Sequence, residues 1–199
     1  MTKILLLSGS QRAESFNSKL LWHIGQGLSD RCVIDTLEPQ QVRLPIFDQD
    51  LEGSPDLVAQ VALLHERFRS CDGMVVASPE YNGQMTPYLK NIIDWVSRLA
   101  YMDSRFQNPF LDHPVLLCSA STGWSGGAVA IPQVRSLFAY VGGLTLGDAV
   151  CLPYAQKVWT EFGYMFDPAF EAPMAATVER FMALSDAFSK GRALQGVAQ

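Results

Sequence analysis

Ser78-Pro79-Glu80-Tyr81-Asn82-Gly83 stands between the apolar run Gly73-Met74-Val75-Val76-Ala77 and a helical pattern that extends from Leu89 to Met102. The run before it carries no polar residue, as a strand buried on both faces does. A polar, turn-rich hexapeptide therefore sits where a strand hands over to a helix. In an open parallel sheet, ligands bind at that carboxyl-terminal edge. Proline fixes one backbone angle, and Asn82-Gly83 permits a left-handed turn that presents N–H groups outward. Such a loop meets the polar edge of a flat heterocycle without any reactive side chain.

The chain on the N-terminal side repeats the pattern. Lys3 to Ser8 reads as a buried strand and ends in Gly9-Ser10-Gln11-Arg12-Ala13-Glu14-Ser15-Phe16-Asn17-Ser18. A helical stripe of Leu20, Leu21, Ile24 and Leu28 follows. The loop carries the hydroxyls of Ser10, Ser15 and Ser18, the Arg12 guanidinium, and Asn17 at an N-cap position. At the positive end of a helix dipole this set suits a phosphate monoester, although an ordinary polar turn has the same composition. Val33 to Leu37 is a second, short strand. The connection through Arg43-Leu44-Pro45-Ile46-Phe47-Asp48 leads to a helix marked by Leu57, Val61, Leu64 and Phe68, with Ser54 as cap and Pro55 at its first position.

Downstream, residues 101–113 are irregular, and Val115 to Ser119 is a fourth strand. It runs into Ala120-Ser121-Thr122-Gly123-Trp124-Ser125-Gly126-Gly127, a third small-residue loop at a strand end. Pro132 suits the first turn of a helix that closes at Gly142-Gly143, and Leu144 to Val150 is a fifth strand. Residues 152–173 are rich in aromatics and receive no assignment. A last helix carries Met174, Val178, Phe181, Met182 and Phe188, and residues 191–199 read as a flexible tail.

Five strands alternating with helices predict a doubly wound α/β fold, one domain over residues 1–190. Neither G-x-G-x-x-G nor a Walker A sequence occurs, which disfavours a dinucleotide Rossmann domain and a P-loop NTPase. Fifteen Lys and Arg against 20 Asp and Glu leave a net charge of −5, which argues against nucleic acid as a partner. No apolar run approaches the roughly 18 residues of a membrane helix, and the first residues lack a signal-peptide pattern, so no membrane partner and a cytoplasmic location are expected. Cys32, Cys71, Cys118 and Cys151 form no C-x-x-C pair and no metal-ligand spacing; they read as small buried hydrophobes. His23, His65 and His113 fall outside the three loops and read as structural or solvated. Glu80 has no second ionisable group beside it in sequence, so no catalytic side chain is assigned.

Gly9-Ser10-x-Arg12-x-x-Ser15-x-Asn17, then Ser78-Pro79-Glu80-Tyr81-Asn82-Gly83 and Leu89-Lys90-Asn91-x-x-Asp94-Trp95, resemble the NAD(P)H-dependent FMN reductase family of flavodoxin-like proteins. The resemblance covers roughly residues 1–150. It implies a parallel five-stranded sheet of order 2-1-3-4-5. It also implies that Ser10, Arg12, Ser15, Asn17, Phe16 and Ser18 hold the FMN 5′-phosphate, and that Pro79, Glu80, Tyr81, Asn82 and Gly83 border the isoalloxazine. The loop with Ser121, Gly123, Gly126 and Gly127 looks like the family's third flavin loop; Trp124 matches no motif. The implied activity takes a hydride from NADPH or NADH and passes electrons to a small-molecule acceptor, which in the family is a quinone, free flavin or azo compound. The alternative is a flavodoxin-type electron carrier, although carriers more often show T-x-T-G-x-T in the phosphate loop.

The helix after the hexapeptide also bears on assembly. Leu89, Ile93, Val96 and Ala100 fall on one face, and Tyr88, Trp95, Leu99 and Met102 on an adjoining one, with Ile92 between. Together they span about 180°, where somewhat over 100° serves a one-sided surface helix. The second face is expected to be covered by another copy of the chain, in a homodimer or homotetramer as the family resemblance also implies, rather than by residues 152–173 folding back.

Overall fold

The computed structural model describes residues 1–160, 163–164 and 166–197. Five strands, β1 (Lys3–Ser8), β2 (Val33–Leu37), β3 (Gly73–Ala77), β4 (Pro114–Ala120) and β5 (Leu144–Leu152), pair in parallel in the order 2-1-3-4-5. Helices α1 (Phe16–Leu28) and α5 (Pro168–Val197) cover one face; α2 (Pro55–Ser70), α3 (Pro87–Met102) and α4 (Ile131–Tyr140) cover the other. Successive strand side chains point to opposite faces. Ile4, Leu6, Val75, Leu116 and Cys118 accordingly meet α1 and α5, while Leu5, Leu7, Met74, Val76 and Leu117 meet the other three helices. This is the flavodoxin-like arrangement, and it sets the ends of β1, β3 and β4 side by side.

The C-terminal helix fits the sheet closely because Gly73 has no side chain. A Cβ there would stand 2.3 Å from Ser185 Oγ and 2.9 Å from the Phe181 ring. Thr2 Oγ1 donates to Asp186 at 2.6 Å, and Arg192 Nη1 donates to the Cys71 carbonyl at 2.7 Å. Helix α5 continues through residues 191–197, so that part of the segment read as a tail is helical; residues 198–199 lie outside the described residues.

Two local expectations change, and the unassigned stretch gains a structure. The N-cap of α1 is Ser15, not Asn17: its backbone is extended and its Oγ accepts the Ser18 N–H at 3.4 Å. Ser54 precedes α2, but its side chain makes no capping hydrogen bond. The aromatic stretch 152–173 folds back over α1, not α3. A short turn (Ala155–Lys157) leads into a hairpin, β6 (Trp159–Thr160) with β7 (Gly163–Tyr164). Trp159 stacks on Phe16 with ring centroids 6.0 Å apart, Phe166 meets Trp159 at 5.6 Å, and Tyr164 meets His23 at 4.7 Å.

The middle of the second face of α3, Trp95 and Leu99, is covered by the chain itself, while Met102 at its end stays 37% exposed. Trp95 and Leu99 are buried against Leu57 and Val61 of α2, with Leu44, Phe47 and Phe106 packed around them. Trp95 Nε1 donates to the Pro45 carbonyl at 2.9 Å, and the Phe47 ring meets the indole edge-on at 4.9 Å. The stretch 43–47, which showed no periodicity of its own, closes the face that the helical pattern left open. A second copy of the chain is not needed to bury Trp95 and Leu99.

Candidate functional site

Strand β1 delivers Gly9 into a tight place. A Cβ on Gly9 would lie 3.3 Å from each of the Ala77 carbonyl oxygen, Leu89 Cβ and Pro79 Cδ, so a larger residue would push the first loop and the hexapeptide apart by a few tenths of an ångström. Thr86 fixes the contact: its Oγ1 donates to the Gly9 carbonyl at 2.6 Å and accepts the Leu89 N–H at 3.2 Å, capping α3. Ser8 Oγ accepts the Ser10 N–H and Ser10 Oγ accepts the Arg12 N–H, both at 3.3 Å, which curls the loop.

Around that curl the predicted phosphate residues divide into two groups. Arg12 is exposed, lies over the Phe16 ring at 5.3 Å and donates to the Glu14 carbonyl at 2.5 Å. It pairs with no carboxylate among the described residues, because Glu14 is held by Lys19 at 2.8 Å; that contact also keeps the Glu14 carboxyl below its ordinary range. Ser10, Arg12, Ser15 and the first turn of α1 lie together around the curl, with the Ser18 N–H there accepted by Ser15 Oγ. The Asn17 and Ser18 side chains are committed elsewhere. Asn17 is buried; its Nδ2 donates to the Ala120 carbonyl at 2.9 Å and its Oδ1 accepts the Ala120 N–H at 3.0 Å, tying the first loop to the end of β4. Ser18 Oγ lies 2.9 Å from Ser8 Oγ and lines a cleft of about 320 Å³ between α1 and β2.

The hexapeptide closes into a two-residue turn. Tyr81 and Gln84 exchange backbone hydrogen bonds at 2.9 and 3.0 Å, with Asn82 (φ 52°) and Gly83 (φ 75°) between them in the left-handed region. Gln133 Nε2 donates to the Gly83 carbonyl at 3.2 Å. Glu80 is bonded across to the start of α4. Its Oε2 accepts the Ala130 N–H at 3.1 Å, where a carboxylate favours the start of α4.

The third loop, Ser121 to Gly127, is shaped by two glycines with positive φ, 63° at Gly126 and 87° at Gly127. A Cβ on Gly126 would come within 2.8 Å of the Leu152–Pro153 backbone, and one on Gly127 within 1.9 Å of Ser119 Oγ. Ser121 Oγ accepts the Gly123 N–H at 3.2 Å, and the loop leans on the segment after β5 through Ala155 N–H to the Ser121 carbonyl at 2.9 Å. Trp124, at its tip, is 79% exposed.

The histidines stand apart from these loops. His65 Nε2 lies 2.7 Å from the Gln107 carbonyl, His113 bridges the Leu111 and Cys71 carbonyls, and His23 is wedged between Tyr164 and Phe166. Burial holds all three below the ordinary imidazole range. All four cysteines are free thiols; burial pushes Cys71 up to about 12 and Cys151 up to about 11. Among the described residues no group of His, Cys, Asp and Glu could hold a metal, and no helix is long and apolar enough to cross a membrane.

Two residues that hold the site together escaped the sequence reading, Gly9 as a contact point and Thr86 as a tie. Thr86-Pro87 is itself a capping signal, a hydroxyl residue followed by proline at the first helical position.

Comparison with known proteins agrees with this geometry. The family model described as NADPH-dependent FMN reductase matches residues 2–157. A quinone reductase of Escherichia coli (strain K12) is 30% identical over 144 residues, 72% of this chain and 73% of that protein. An NAD(P)H-dependent FMN reductase of Pseudomonas aeruginosa is 29% identical over 168 residues, 83% of this chain and 85% of its own. Among solved structures, a flavoenzyme NAD(P)H:(acceptor) oxidoreductase from Paracoccus denitrificans superposes with a TM-score of 0.73 at 24% identity, covering 96% of this chain and 98% of that one; it speaks for the fold alone. With the matched region taking in β1 to β5 and all three loops, the chain belongs to the NADPH-dependent FMN reductase family and is an oxidoreductase that works with FMN and NAD(P)H.

Proposed function

We propose that the curl at 10–15 and the first-turn N–H groups of α1 hold the FMN phosphate, that residues 79–83 and 121–127 border the ring, and that the electrons pass to a small quinone-class acceptor. The observation that carries the reading is Arg12: an exposed guanidinium resting on Phe16 at the first turn of α1, with no salt bridge among the described residues. The fit extends to the other end, where the Tyr81–Gln84 turn and the Gly126–Gly127 backbone offer main-chain polar groups to a flat heterocycle. Bound FMN supplies the hydride and electron chemistry. The chain's own part is to neutralise the phosphate at Arg12, to orient the ring with turn backbone, and to lock the three loops through Thr86, Asn17 and Glu80. The name of the Escherichia coli relative supports a quinone acceptor. A cytoplasmic, homo-oligomeric protein belongs to the same proposal, with the assembly supported by the family resemblance and no longer by the face of α3.

Anaerobic titration tests the activity. The yellow colour of the protein with FMN should bleach on adding NADH or NADPH alone and return on adding a benzoquinone. An electron carrier stays coloured until a partner reductase is supplied, and that result would end the enzyme reading. Arg12→Ala tests the phosphate grip. A charge-assisted bond to phosphate contributes on the order of 1.5–3 kcal/mol, so FMN should bind roughly ten- to a hundredfold more weakly. Riboflavin, which has no phosphate, should bind mutant and parent alike; an equal loss for both ligands would remove Arg12 from the phosphate site.

A further inference from the structure

The region matched by the family ends at residue 157, two positions before the hairpin of β6 and β7 begins. Trp159, the first residue of that hairpin, stacks on Phe16 with ring centroids 6.0 Å apart and planes 23° apart. Phe16 opens α1, and Arg12 Cζ lies over its ring at 5.3 Å. Indole, phenyl ring and guanidinium, from two distant parts of the chain, thus form one run of contacts. The inner end of this run is anchored. The Phe166 ring is buried, meets Trp159 edge-on at 5.6 Å, and lies 4.4 Å from the His23 ring of α1 and 5.8 Å from Phe170 of α5. The outer end is exposed, and the other polar contact of the Arg12 guanidinium among the described residues is the Glu14 carbonyl. Phe16 serves a second cation too, since Lys19 Nζ stands 6.0 Å from its centroid while holding Glu14.

We propose that Trp159 is a positioning residue for the cofactor phosphate: by stacking on Phe16 it holds the ring on which Arg12 rests, so that the guanidinium is in place before FMN arrives. The inference rests on the assignment of Arg12 to the phosphate. An arginine gives up rotamer freedom when a ligand fixes it. A ring face that attracts the cation beforehand removes part of that loss from the binding step. Phe16 is only half-buried at the first helical position, and the ring stacked on it is Trp159. Without the indole, the phenyl ring loses that aromatic partner, and Arg12 and Lys19 lose a fixed ring to rest on. Trp159 acts through Phe16 and not on the flavin itself.

Flavin fluorescence titration of the flavin-free protein with FMN and with riboflavin tests this without turnover. Trp159→Leu keeps an apolar side chain over the core and removes the ring face. It should weaken FMN roughly two- to tenfold, the range that an aromatic pair and a cation–ring contact carry, and leave riboflavin unchanged. Trp159→Phe keeps a ring and should bind FMN as the parent does. In an Arg12→Ala background, Trp159→Leu should cost nothing further, because the two residues act as a unit. An equal loss of FMN and riboflavin, or losses that add in the double variant, overturns the proposal and leaves the hairpin a structural part alone. A Trp159→Phe protein as weak as Trp159→Leu does the same. So does an unchanged FMN affinity in Trp159→Leu where Arg12→Ala alone lowers it. If Arg12→Ala itself leaves FMN affinity unchanged, the phosphate reading falls and takes this proposal with it, so the two failures are told apart.

Discussion

Trp95→Glu should yield no folded protein at 25 °C. The indole is 3% exposed, packed by Leu57, Val61, Leu99 and Phe47, and bonded to the Pro45 carbonyl. Removing a buried tryptophan side chain costs about 3–5 kcal/mol through lost transfer energy and the cavity left behind. Placing a carboxylate in that space adds several more, and a domain of this kind has only about 5–15 kcal/mol in total. Trp95→Phe keeps most of the apolar area and loses one hydrogen bond, so its urea midpoint should drop modestly. Circular dichroism and urea titration of both variants check this. A Trp95→Glu protein with the parent's midpoint and an altered sedimentation coefficient would instead restore the intersubunit role that the helical pattern suggests.

The same residue shows what a sequence can and cannot disclose. Spacing along residues 88–102 identifies correctly which side chains of α3 are apolar, because periodicity is a local property of the chain. The partner of those side chains is a long-range matter. Leu44 and Phe47 lie about 50 positions away in a stretch with no periodicity, and only the folded chain brings them to Trp95. The hairpin at 159–164 has a related reason for escaping notice. Its strands are two residues each, too short to show alternation, and its aromatics find Phe16 and His23 at the far end of the sequence. The three central strands, β1, β3 and β4, were legible because central parallel strands are apolar runs bounded by turn residues.

Gly127→Ala should weaken FMN and riboflavin alike, by at least roughly tenfold, a change of about 1.4 kcal/mol or more. The added Cβ would sit 1.9 Å from Ser119 Oγ and 2.8 Å from Ser119 Cβ, inside any allowed contact. The Ser119 hydroxyl can turn aside, but its Cβ at 2.8 Å is fixed by β4, so the loop at 121–127 must shift. A further cost of about 1–2 kcal/mol comes from holding alanine at a positive φ. Ser119→Gly removes both clashing atoms. The double variant Gly127→Ala/Ser119→Gly should therefore recover part of the lost flavin affinity, leaving only the backbone strain. Fluorescence titration with FMN and riboflavin reads all three proteins. Unchanged affinity in Gly127→Ala would detach this loop from the flavin ring.

Of the candidate site, the composition of the three loops was readable and the division of labour within them was not. Hydroxyl, amide and guanidinium groups in the first loop all suit a phosphate on chemical grounds. Which of them remain available depends on strand order. Asn17 is taken by Ala120 because β4 lies two strands from β1 in the sheet, and Ser18 is taken by Ser8 because α1 returns along its own strand. Glu80 caps α4 for the same kind of reason, through a contact 50 residues away.

The fit of α5 over Gly73 has a consequence for biosynthesis. The chain leaves the ribosome N-terminus first, so β1, β3 and β4 are out of the exit tunnel well before Phe181 and Ser185 are made. At roughly 5–20 residues per second, the hundred or so residues between β3 and the middle of α5 take roughly 5–20 s to add. For that interval Ile4, Val75 and Leu116 have α1 beside them and no α5 above. The last links, Thr2 to Asp186 and Arg192 to Cys71, span 184 and 121 positions. The nascent chain thus carries an apolar sheet face, unclosed, until the codons of α5 have been translated.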